Sequence, residues 1–145
     1  MSRESRLVAG ILILLLPTVA FGGTSILSLL VGDPAYAENE LRQDLWRAGH
    51  AHAGVLLVLA LVTLRYVDEA ALSRRMKTVA RHAIPAAAVL LPAAFFLSVL
   101  SPEATEPNAL INLAYVGAVS LGLGLVVLGL GLVRRPPGQR REEVG

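Results

Sequence analysis

Apolar residues run along this chain in four long stretches, Leu7 to Gly32, Ala48 to Tyr66, Ala83 to Ser101 and Ala109 to Val133, separated by polar segments. None alternates with the period of a strand, which excludes a β-barrel and predicts four helices. A hydrocarbon core about 30 Å thick takes roughly 20 helical residues at 1.5 Å each, and every stretch is of that order. The second is the least apolar, uninterrupted only from Ala53 to Leu64. Its flanks support it, because Trp46 and Tyr66 would stand about 30 Å apart on a helix. Arg47 and Arg65 lie beside them, and membrane interfaces favour such residues.

Composition agrees with this pattern. The 145 residues are 54% apolar and 17% charged, against roughly 45–50% apolar in soluble domains. The expected architecture is all-α, a four-transmembrane-helix bundle forming a single membrane domain over 1–133, with 134–145 as a basic, disordered cytoplasmic tail. A cleaved signal peptide competes for the first stretch, since Arg3 and Arg6 precede it and Ala35-Tyr36-Ala37 resembles a small-x-small cleavage site. An apolar run of 26 residues is too long for a signal h-region of about 7 to 15, so the stretch is read as a retained span.

Charge then orients the bundle. Eleven of the thirteen basic residues fall before the first span (Arg3, Arg6), in the middle loop (Arg65, Arg74, Arg75, Lys77, Arg81) and in the tail (Arg134, Arg135, Arg140, Arg141). Basic residues are retained on the cytoplasmic side, so both termini are expected inside, in a multi-pass protein of the bacterial cytoplasmic (inner) membrane. The other connections carry Asp33, Glu38, Glu40, Asp44, Glu103 and Glu106. The net charge of +2 and pI near 9.5 therefore report orientation and do not indicate nucleic acid. The implied partner is the lipid bilayer, with Arg74, Arg75, Lys77 and Arg81 placed to meet anionic head groups.

Helices in lipid gain little from hydrophobic burial and approach each other through small residues. Gly117, Gly124 and Gly131 recur every seven residues, and Gly122 and Gly129 repeat that interval on a second face. Both faces are expected to meet neighbours. Asn108, Asn112 and Tyr115 continue the second face and are expected to point inward, because amides are costly in lipid. Pro17, Pro85 and Pro92 are expected to kink their helices.

The absence of cysteine excludes disulfides, thiolate zinc sites, iron–sulfur clusters and covalent c-type haem attachment. No phosphate-binding glycine loop, nucleophile elbow or mid-span carboxylate occurs, so no catalytic residue is assigned. The expected role is a non-enzymatic structural or accessory component, associating with itself or with a larger membrane complex. A small channel or carrier is a third reading, compatible with the glycines and prolines but without a polar midplane site.

The runner-up rests on His50 and His52, which enter the second span about 6 and 9 Å below Trp46. Intramembrane ionisable residues are functional candidates, and imidazole ligates zinc, copper and haem iron. Asn108, Asn112 and Tyr115 would support such an outer-leaflet site. On a regular helix residues i and i+2 point about 200° apart, so one ion reaches both only if the turn between Gly49 and Gly54 is irregular. His50, sharing its face with Ala53, Gly54 and Leu57, is favoured as the inward ring. The alternative is that both rings only hydrogen-bond neighbouring helices and hold them together. His82, at the opposite end of a span, belongs to neither arrangement.

His50-Ala51-His52 at the opening of the second helix, with the glycine-rich fourth, resembles small uncharacterised four-helix bacterial integral membrane proteins. These are distantly similar to helices of haem-copper oxidase and nitric oxide reductase large subunits. The resemblance implies that a helix-two histidine, matching His50 or His52, ligates a haem whose other ligand is a histidine on a later helix. At that place this chain reads Tyr115-Val116-Gly117-Ala118-Val119-Ser120-Leu121-Gly122, without a histidine.

Overall fold

The computed structural model describes residues 1–134. It contains α1 (Arg3–Gly32), a single-turn α2 (Pro34–Ala37), α3 (Glu40–Val67), α4 (Arg74–Ser98), a 3-10 turn at Ala109–Asn112 and α5 (Leu113–Val133). No strand occurs among the described residues. Four helices, counting the turn with α5, are long and apolar enough to cross a membrane. The basic tail from 135 onward lies outside the described residues.

Helix boundaries differ from the apolar stretches because capping, rather than hydrophobicity, sets where a helix begins. Asn39 accepts from the Arg42 N–H and starts α3 eight residues before the apolar stretch; Ser73 accepts from the Met76 N–H and starts α4 nine residues early. At its other end α4 stops at Ser98 rather than Ser101. Pro17, Pro85 and Pro92 each lie inside an uninterrupted helix.

The four long helices stand in the row α1–α3–α4–α5. α1 packs mainly on α3, α5 mainly on α4, and α1 and α5 do not touch, so the helices form an open row and not a closed ring. Ser2 and Asp68 meet at one end of the molecule, and the Ala71 N–H donates to the Gly131 carbonyl at the same end. The start of α1 and the end of α5 are therefore on one side.

One glycine stripe makes the α4–α5 seam. A Cβ placed on Gly124 would lie 2.6 Å from Ile84 Cγ1 and 3.2 Å from the Ile84 nitrogen, and one on Gly117 would lie 2.9 Å from Leu91 Cγ. Gly131 is closed against Leu72 in the same way. The second stripe behaves otherwise than expected, since Gly122 and Gly129 have nothing within 4 Å. α5 has a helix on one side only, and the second stripe faces the surroundings. Ser120 adds a polar link, donating to the Ala83 carbonyl at 2.8 Å.

Candidate functional site

His50 and His52 lie in the third and fourth turns of α3, well inside a regular helix, so their rings diverge. His52 is exposed, with Nδ1 2.7 Å from the Ala48 carbonyl and its ring 5.2 Å from that of Phe95 on α4. His50 is half-buried and turns to α1, where a Cβ on Gly23 would stand 2.9 Å from its Cε1. The Cβ-free pair Gly22-Gly23 on α1 is the recess that admits the imidazole. The two rings thus serve different neighbours, and no group of three or more His, Cys, Asp or Glu able to hold a metal ion occurs among the described residues.

The supporting cluster expected from Asn108, Asn112 and Tyr115 does not assemble. Asn108 caps the 3-10 turn through the Leu110 N–H and donates to the Leu97 carbonyl; Asn112 donates to the Ala109 carbonyl. Their amides are satisfied locally at the end of α4 and start of α5. Tyr115 is 72% exposed on the same open face as Gly122.

Below His50, α1, α3 and α4 separate around a cavity of about 240 Å³ lined by Leu15, Thr18, Ala53, Ala88, Pro92 and Phe96 among others. Small side chains at Ala53 and Ala88 leave the space. His50 stands in its wall, and its ring makes no hydrogen bond among the described residues.

Two buried arginines hold the ends of the helix row. Arg81 was expected to meet lipid head groups, yet only 4% of it is exposed. Its Nε donates to Ser5 Oγ at 2.9 Å, and its terminal nitrogens reach Asp68 Oδ1 at 3.1 Å and the Glu4 carboxylate. Two chain segments, the start of α1 and Asp68 just after α3, compensate this charge, which makes burial tolerable. Lys77, from the same basic group, donates to the Asp68 carbonyl at 2.7 Å. Arg74 and Arg75 remain exposed. Burial alone would raise the Asp68 pKa, but bonds from the Ser2 N–H and hydroxyl, Ser5 and Arg81 outweigh it and hold the carboxyl at about 2.

Arg42 is the counterpart at the opposite end, 5% exposed. Its Nε donates to the Val99 carbonyl at 3.2 Å, and its guanidinium lies 4.7 Å from the Trp46 ring and 5.6 Å from the Tyr36 ring. Carbonyls at the end of α4 and aromatic faces take the place of a carboxylate. Nη1 of Arg42 and the Tyr36 hydroxyl are buried without partners. Burial pushes the Tyr36 pKa up, opposed by Arg47 and Arg42. Asn39 donates to the Pro102 and Ala104 carbonyls and joins the two loops at this end. Neither arginine is distinguishable by sequence spacing from its solvated neighbours; the only hint is hydroxyls and carboxylates clustered at Ser2, Glu4 and Ser5.

The described residues form an all-helical protein with four helices long and apolar enough to cross a membrane, polar fastenings at both ends and a lateral cavity beside His50. Comparison of the chain with protein-family models, curated proteins and solved structures finds no match in any of the three.

Proposed function

We propose that this chain is a non-enzymatic structural or accessory component of a bacterial cytoplasmic membrane, with both termini in the cytoplasm. The observation that carries the reading is how its polar side chains bridge separate segments of the chain. Arg81, Arg42, Asn39, Asn108 and Ser120 all donate to atoms of other helices or loops and tie the chain into one unit. The end fastened by Arg81 also holds Arg3, Arg6, Arg65, Arg74 and Arg75, which supports placing it inside.

The outer helices supply surface for association with a second copy or a larger complex. Leu14 on α1 is 77% exposed and Val119 on α5 is 71% exposed. The cysteine-free chain suits single-cysteine probing. Leu14→Cys or Val119→Cys is expected to give disulfide-linked adducts in native membranes, and Thr105→Cys but not Arg75→Cys should react with an impermeant maleimide in intact cells. Monomeric behaviour of both surface variants would remove the accessory reading, and reversed labelling would remove the orientation.

A further inference from the structure

The cavity between α1, α3 and α4 has a shape and chemistry that the fastening role does not use. From it the geometry points to a lateral binding site for a neutral, apolar molecule that carries a ring and one hydrogen-bond acceptor, such as a carbonyl, and enters from the bilayer.

α1 packs along α3, with His50 against Gly23 near one end, and is tied to α4 by the Arg81–Ser5 contact near the other. Between them it stands away from α4, and the space is left by Ala53 and Ala88. About 240 Å³ exceeds the ~150 Å³ that holds benzene in an apolar cavity and falls short of the roughly 300–1,000 Å³ of drug-sized sites. A substituted ring fits, with any longer tail left among lipid chains.

Chemistry narrows the occupant. No Asp, Glu, Lys or Arg lines the cavity, so the ligand is uncharged. Of its two polar side chains, Thr18 already donates to the Leu15 carbonyl at 2.6 Å. His50 has no hydrogen-bond partner among the described residues, and an imidazole N–H left unpaired in hydrocarbon carries a desolvation penalty. Water is a poor partner, because an ordered water needs about 2–4 polar contacts and the wall offers few. A phospholipid acyl chain has no acceptor at this depth. A carbonyl on a ring-bearing ligand fills the volume and accepts from His50 together, with Phe96 available for edge or face contact.

Trp46 provides the readout, as the chain's single tryptophan whose ring centroid lies 6.0 Å from that of Phe96 in the cavity wall. In nanodiscs, 4-bromoacetophenone should quench Trp46 fluorescence saturably. It should do so at about fivefold lower concentration than 1-bromo-4-ethylbenzene, which matches its size but lacks the carbonyl, as one net hydrogen bond allows. His50→Leu should abolish that difference, and Ala53→Leu, which fills the cavity, should weaken both probes. Equal quenching by the two probes in the wild type would overturn the proposal, as would a difference that persists in His50→Leu. Quenching by brominated phosphatidylcholine that 4-bromoacetophenone does not relieve would assign the cavity to bulk lipid and overturn it too. If His50→Leu fails to fold, the paired probes on wild type and Ala53→Leu still decide.

Discussion

Arg81 Nε donates to Ser5 Oγ at 2.9 Å, joining α4 to the first turn of α1. The same guanidinium reaches Asp68, just after α3, so one side chain gathers three segments that are far apart in sequence. Removing it would strand the carboxylates and hydroxyls arranged around it. Arg81→Met is therefore expected to cost about 3 kcal/mol, in the range for breaking a buried pair. Glu4→Gln, whose side chain is 61% exposed, should cost under about 1 kcal/mol. Thermal unfolding of both variants in one detergent checks the contrast, and equal losses would contradict it.

Asp68 makes the same contact pH-dependent. Its carboxyl is held at about 2 in the folded protein, below an ordinary 3.8. A depressed folded value means stabilisation that is complete above the unfolded value and lost as pH falls from about 4 toward 2, worth about 2 kcal/mol. The stability gap between wild type and Asp68→Asn should thus be full at pH 6 and close toward pH 2. A gap independent of pH would show that ionisation of Asp68 contributes nothing.

The α4–α5 seam tests the glycine stripes. Leucine at Gly124 would collide with Ile84 side chain and backbone, so Gly124→Leu should cost about 2–3 kcal/mol or prevent folding, as overpacking does. Gly122 has nothing within 4 Å, and Gly122→Leu should stay within about 0.5 kcal/mol of wild type. Similar thermal stabilities for the two variants would contradict a one-sided seam.

Tyr36 is 1% exposed and its hydroxyl is buried without a partner. An orphaned polar atom costs desolvation without return. Tyr36→Phe should leave stability unchanged or raise it by up to about 1 kcal/mol, measured by thermal unfolding, and a loss above that size would reveal a partner for the hydroxyl.

Arg42 rests on aromatic faces instead of a carboxylate, 4.7 Å from the Trp46 ring. Lysine lacks the flat, delocalised cation that stacks there. Arg42→Lys is expected to cost about 1–2 kcal/mol and to shift Trp46 emission to the red as the indole is uncovered. Unchanged emission would mean that the stacking does not shield Trp46.

The candidate site was legible in part. His50 stood out as an ionisable residue inside a span, and its face with Ala53 and Leu57 is the one that lines the cavity. The recess at Gly22-Gly23 that receives it was not legible, because only the α1–α3 pairing brings residues so far apart in sequence together. Tyr115 shares a helical face with Gly122 that has no neighbour, while Asn108 and Asn112, expected on the same face, bond at the junction of α4 and α5 instead. A helical wheel tells which residues look the same way and not what they look at.

By itself the sequence determined the four span-length apolar helices and the Gly117–Gly124–Gly131 interval, because hydropathy and helical periodicity are local properties of a chain. Tertiary structure decided the open order of the row and hence which glycine stripe meets a helix. It also decided that Arg81 and Arg42 turn inward while Arg74 and Arg75 stay out. A buried arginine is tolerable only where partners from several segments converge on it, and that convergence exists only once α1, α3 and α4 have packed.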